Sequence, residues 1–170
     1  MSGLSLEWSV RGSFLRYVQA LPDGVVAAEG GARLGAGTVV FHGGTPTAGG
    51  LRFHGSLRVT GHLGSLDVRL DDPELVLDPH GHGLIRVMTG GHRVDIAEFE
   101  IHEPNAWPST GESRTELFTT PTRHGDLLRT DTVRFTADGA WLLGDVYPPG
   151  TPAAPLRVFR KINGNMKDVA

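Results

Sequence analysis

The chain has 170 residues, with 16 Lys and Arg against 19 Asp and Glu, a formal net charge of -3, 39% hydrophobic residues and 21% charged residues. This size and composition fit one globular domain with its own core, and the slight acidity (pI ≈ 6.2) argues against the broad basic face that a nucleic-acid partner requires. The lack of cysteine excludes disulfides and thiolate-ligated zinc or iron–sulfur sites, and no apolar run approaches the roughly 20 residues of a membrane span.

The first residues, "MSGLSLEWSV", show no charged segment leading into an apolar one, so no secretory signal is read. The chain as given is therefore expected in the cytoplasm, or exported if it is an excised domain. From Leu6 to Val18 the sequence reads as a helix capped by Ser5. Val10, Phe14, Val18 and Leu21 recur at helical spacing and form its apolar face, and Pro22 and Gly24 stop it. Ser13 and Tyr17 stand four residues apart on the edge of that face. Gly12 is unexpected inside a helix, where glycine costs about 1 kcal/mol relative to alanine.

The middle of the chain reads as strands. Leu51, Phe53, Leu57 and Val59 alternate with polar residues, then Leu66, Val68 and Leu70 alternate on the opposite parity, so a turn or bulge is expected at Gly61–Gly64. Further strands are expected at residues 25–28, 38–42, 74–77, 84–88, 93–102, 132–136 and 156–162, with "DDP", "DPHGHG" and "TGG" as turns between them. Residues 103–126 lack periodicity and read as a long loop. A second short helix opens near Thr136, and 163–170 reads as a polar tail. The many glycines and prolines (24 and 11) and the short strands predict a mainly β chain: an antiparallel sandwich-like single domain over 1–170, its core at about 4–162, with a short helix near each end.

Most of the chemical motifs are weak. His80 and His82 lie in a Pro- and Gly-flanked turn with no third ligand tied to them by spacing, which favours a solvated loop over a metal site. "GGARLGAG" lacks the lysine and the strand–helix setting of a phosphate loop. Ser13, His62 and Asp67 form a triad only on paper, with no nucleophile elbow. Tyr17 and His62 have more distinctive settings, one on a rigid helix and one at a glycine-bracketed break between strands. The residues alone still read more readily as a boundary aromatic and a turn residue.

Two stretches together resemble the HtaA domain of bacterial haem-uptake proteins. "LEWSVRGSFLRYV" carries Trp-x-V-x-x-S-F-x-x-Y, and "GHLGSLD" follows a strand and precedes an acidic-proline turn. A closing segment matches at Thr136, Gly139, Tyr147, Gly150 and Pro155, so the resemblance spans residues 4 to about 159. It departs at Val146, where an aromatic often precedes the final tyrosine, and at Ala154-Pro155, where the family has Asp-Pro. The resemblance implies a ferric haem b bound on a β-rich domain. Tyr17 falls on the axial ligand, His62 on the histidine that hydrogen-bonds it, Ser13 on a propionate contact and Tyr147 on a second hydroxyl contact. A phenolate is a hard anionic ligand suited to ferric haem, although an isolated phenol stays protonated at neutral pH. The implied role is carriage, storage or buffering of haem rather than catalysis, with haem and a second haem-handling protein as partners. A haem-dependent peroxidase or haem-degrading enzyme on the same site, and a haem-free binding module, are the alternatives.

Overall fold

The computed structural model describes residues 3–101 and 126–160. These residues form twelve strands and two helices. Among them no helix is long and apolar enough to cross a membrane. The fold is mainly β and antiparallel, as the turn chemistry predicts. The expected loop over 103–126 and the polar tail lie outside the described residues, apart from Asp126.

The first strand, β1 (Leu4–Trp8), corrects the reading of the N-terminus. Its backbone pairs on both edges, with β12 (Leu156–Arg160) through Leu6↔Val158 and with β4 (Val39–Pro46) through Leu6↔Phe41. Two ladders satisfy more backbone groups than one helical turn, and Leu6 and Trp8 are buried. Ser5 is no helix cap. It is buried, and its hydroxyl hydrogen-bonds His42 Nδ1 at 2.9 Å. The helix α1 is shorter than expected, Gly12–Ala20, with Arg11 at its N-cap. Gly12 therefore opens the helix and imposes no interior penalty. Phe14, Leu15 and Val18 face the core.

After α1 come β2 (Val25–Glu29) and the two-residue β3 (Arg33–Leu34). The expected strand through 51–59 is two strands, β5 (Gly50–His54) and β6 (Ser56–Gly61), broken at Gly55. The alternation survives the break, because Leu51, Phe53, Leu57 and Val59 all remain buried. The change of parity is explained by a hairpin. β6 pairs with β7 (Leu66–Leu77) through Gly61↔Leu66, Val59↔Val68 and Leu57↔Leu70, which places odd positions opposite even ones. "DDP" is not a turn: β7 runs straight through it with a bulge. Asp72, at φ 44°, supplies the bulge, and it exchanges hydrogen bonds with Gly55 at 2.9 and 3.1 Å.

The remaining strands are β8 (His82–Thr89), β9 (His92–Glu100), β10 (Asp126–Thr130) and β11 (Val133–Phe135). The sheet runs β10-β12-β1-β4-β5-β7-β8-β9-β11, with β2 on β6, β6 also on β7, and β3 on β4. It curls round a single apolar cluster that includes Leu6, Trp8, Phe41, Phe53, Phe99 and Phe135.

Helix α2 (Ala137–Leu142) is placed as expected, with Thr136 at its N-cap accepting from Gly139 N at 3.0 Å. The Thr136 hydroxyl also donates to Asp95 O at 2.7 Å, which ties the cap to β9. Gly139 is required by close approach: a Cβ there would lie 1.9 Å from Ile96 O. Gly139→Ala is expected to push α2 off β9 and to lower stability by about 1 to 3 kcal/mol, the usual range for an overpacked contact. Urea unfolding checks this.

Candidate functional site

The site forms where α1, the β6–β7 turn and the segment after α2 meet. A half-open cleft of about 390 Å³ lies between them, lined by Phe14, Tyr17, His62, Ser65, Leu66, Leu143, Gly144, Val146 and Tyr147. A larger cleft of about 780 Å³ lies across β7, β8, β9 and β11, with Glu98, Glu100 and Arg134 on its walls. Tyr17, His62 and Tyr147 all belong to the smaller one, which has the more apolar wall.

Tyr17 projects from the last turns of α1 and is 48% exposed. Its hydroxyl lies 2.6 Å from His62 Nε2, a hydrogen bond between residues 45 apart in the chain. The rings sit 5.9 Å apart at an interplanar angle of 41°. A neutral imidazole protonated on Nδ1 accepts the phenolic proton, and one protonated on Nε2 donates to the phenolic oxygen. His62 is held in an unusual backbone state. It and Leu63 have φ 51° and 56° inside the 3-10 turn His62–Gly64, the left-handed region that costs a non-glycine residue roughly 1–2 kcal/mol. Leu63 N donates to Asp23 Oδ2 at 2.6 Å. That hydrogen bond holds the Asp23 carboxyl below its ordinary 3.8. The interaction is therefore complete at neutral pH and is lost only as pH falls through the lowered value.

Tyr147 forms the opposite wall. The C-terminus of α2 ends in a Schellman arrangement: Gly144 N bonds Trp141 O and Asp145 N bonds Ala140 O, with Gly144 at φ 83°. This closure needs a left-handed residue after the helix, and it turns the chain back so that Val146 and Tyr147 border the cleft. Tyr147 packs edge-on against Phe14 (6.4 Å, 80°) and stacks on Phe135 (6.3 Å, 25°). The Arg11 guanidinium lies over the ring, 4.8 Å from its centroid, and also donates to Pro152 O. Val146 is 66% exposed, so the missing aromatic leaves an aliphatic rim.

The structure thus brings Tyr17, His62 and Tyr147 together. Ser13, one turn before Tyr17 on α1, is exposed and is not part of the lining. The paper triad does not assemble. Asp67 forks onto Arg58 at 3.0 and 3.1 Å, while His62 is engaged with Tyr17. His80 and His82 lie in a turn that the Asp78 carboxylate holds through their backbone N–H groups, at 2.7 and 3.0 Å. Sequence reasoning missed Arg11, Asp23, Ser65 and Leu143. Their roles depend on contacts from distant segments and leave no local spacing signal.

The fold and cleft together define an antiparallel β domain that offers a tyrosine–histidine pair at the mouth of an apolar ligand-sized groove. The Htaa family model matches residues 3–159, so the chain belongs to the HtaA family. Three solved structures from Corynebacterium glutamicum share the fold. The N-terminal domain of HtaA has 21% identity and a TM-score of 0.67, covering 92% of this chain and 95% of that one. The C-terminal domain of HtaA has 18% identity and a TM-score of 0.66, covering 92% and 94%. The heme binding protein HtaB has 16% identity and a TM-score of 0.65, covering 95% and 96%. No curated protein sequence matches the chain.

Arg11→Ala should remove one cation–π contact and one hydrogen bond together. The expected loss is about 1 kcal/mol, read as a lower urea midpoint, with Arg11→Lys recovering only part of it because lysine lacks the planar fork.

Proposed function

We propose that this chain binds one ferric haem b in the cleft between α1 and Tyr147, with Tyr17 as axial ligand, for carriage, storage or buffering of haem. The single observation that carries the reading is the 2.6 Å hydrogen bond between the exposed Tyr17 hydroxyl and His62 Nε2 at the edge of an apolar cleft. Membership of the HtaA family supports it, as does the likeness to HtaB, which is named for binding haem and not for a reaction.

The residues suit that ligand. Phe14, Leu66, Leu143 and Val146 offer apolar contact to a porphyrin face, worth roughly 25 cal/mol per Å² buried less the cost of association. Ferric iron supplies a hard Lewis-acid centre for which an anionic oxygen is a matched ligand. His62 gives the phenol a partner for its proton: as Tyr17 ionises, Nε2 takes the proton and then donates to the phenolate. An outer partner of this kind sets both ligand basicity and orientation. Ser13, exposed one turn along the same helix and outside the cleft lining, would be the hydroxyl for a propionate, and the Tyr147 hydroxyl would offer a second polar contact. The imidazole in the described lining is already engaged with the tyrosine. On the opposite wall Tyr147 stands beside the apolar Leu143 and Val146, and the carrier reading rests on the engaged His62 and on membership of the HtaA family.

Tyr17→Ala is expected to abolish tight hemin binding with the fold intact, because the side chain is half exposed. His62→Ala should weaken binding about 10- to 100-fold, the usual range for an outer-shell loss, and shift the Soret band. Hemin titration with circular dichroism measures both; wild-type spectrum and affinity in Tyr17→Ala would remove it as ligand.

A phenolate favours ferric over ferrous iron, since the anion offsets the additional positive charge. Dithionite-reduced protein should therefore lose haem to excess apo-myoglobin faster than the ferric form, as followed by stopped flow. Peroxide turnover should stay near that of free hemin. Slower ferrous release, or turnover far above free hemin, would put an enzyme ahead of a carrier.

A further inference from the structure

We propose that Asp23 is a positioning residue for the Tyr17–His62 pair, holding by a backbone hydrogen bond the left-handed turn that presents the imidazole to the phenol. The proposal rests on the haem-binding reading and deepens it, by naming what keeps the ligand's partner in place.

The turn has no anchor in the core. None of its residues is buried, and the Leu63 side chain is 96% exposed. Its internal support is one hydrogen bond, from Ser65 N to His62 O at 3.1 Å. Two consecutive non-glycine residues in the left-handed region persist only where the surroundings over-determine them. The additional constraint is the Asp23 carboxylate, which accepts from Leu63 N at 2.6 Å. Leu21 adds an apolar contact at the entry to the turn, since a Cβ on Gly61 would lie 2.9 Å from Leu21 Cδ1.

Asp23 is itself fixed to the helix that carries Tyr17. Leu21 N bonds Val18 O at 3.0 Å and Gly24 N bonds Leu21 O at 3.1 Å, so residues 21–24 continue from the last turn of α1 as a tight unit. One short loop therefore ties the histidine's turn to the tyrosine's helix, and the distance between the two side chains is set from both ends. The carboxylate makes no salt bridge with Lys or Arg among the described residues, and its interactions are with the backbone N–H of Leu63 first and with His62 of the same turn after it. An amide oxygen can accept the same bond, whereas a methyl group cannot.

The test uses the whole chain in two arms. Without haem, NMR should show cross-peaks between the Tyr17 and His62 rings in wild type and in Asp23→Asn, and their loss in Asp23→Ala. With hemin, Asp23→Ala should weaken binding about 10-fold and move the Soret band in the same direction as His62→Ala does. The double variant Asp23→Ala/His62→Ala should bind no more weakly than His62→Ala alone, because residues acting through one another are not additive. Unchanged ring cross-peaks in Asp23→Ala, their loss in Asp23→Asn, or an Asp23→Ala effect that adds fully to His62→Ala would overturn the proposal. The two readings fail separately. If the cross-peaks respond but wild type binds no hemin, Asp23 keeps its role and the haem reading falls.

Discussion

The rest of the structure depends on the pairing of β1 along both edges. One edge takes β12, from the far end of the described chain, and the other takes β4. This commits the first strand to the middle of the sheet and leaves the following residues little freedom. The chain must turn at once from strand to helix, and it does so through Val10 at φ 59°. A β-branched residue in that region is a genuine outlier and costs of order 1–3 kcal/mol. The surroundings hold it. Val10 is buried, and its carbonyl accepts from Ala154 N at 2.8 Å. Trp8 Nε1 donates to Ala154 O at 3.1 Å, and Arg11 donates to Pro152 O. The segment 152–154 thus clamps the strand–helix junction. Ala154 makes both of its hydrogen bonds through its backbone while its methyl packs against the core.

The site follows from that clamp. With the junction fixed, α1 buries Phe14, Leu15 and Val18 and leaves Tyr17 at the rim. The β6–β7 hairpin brings His62 to it from one side. The Schellman end of α2 brings Tyr147 from the other, where Phe14, Phe135 and the Arg11 guanidinium hold the ring. Each wall is fixed by contacts outside the cleft, which leaves the groove pre-formed. A pre-formed groove loses little conformational freedom on binding. It also keeps the tyrosine–histidine distance from depending on the ligand.

Strain is concentrated near the candidate site. Val10, His62, Leu63 and Asp145 are four of the five non-glycine residues at positive φ among the described residues. Val10 starts the helix of Tyr17, His62 and Leu63 form the turn facing it, and Asp145 closes the loop to Tyr147. Such residues persist where hydrogen bonds lock them. Asp23, Ala154 and the α2 carbonyls supply those locks.

The sequence by itself determined what local periodicity and chemistry can encode. The alternation of Leu51, Phe53, Leu57 and Val59 marked one buried face. The parity change marked a turn or bulge, which the β6–β7 pairing makes a hairpin, and Thr136 marked the start of α2. Only the resemblance to the HtaA domain, carried by the Trp8–Tyr17 and Gly61–Asp67 stretches, marked Tyr17 and His62 as a pair; their local chemistry alone did not. Only the tertiary structure decided that Leu4–Trp8 is a strand. Leu6, Trp8 and Val10 suit period 2 and feed equally well into a helical stripe, and the choice falls to partners at Phe41 and Val158 that no local window contains. The same holds for the bulge at Asp72, where hydrogen bonds with Gly55 turn an apparent break into continuous strand. It holds most of all for Arg11 and Asp23, whose roles come from Tyr147 and Leu63. A hydrogen bond between residues 40 apart has no period, so its partners become visible only when the fold brings them together.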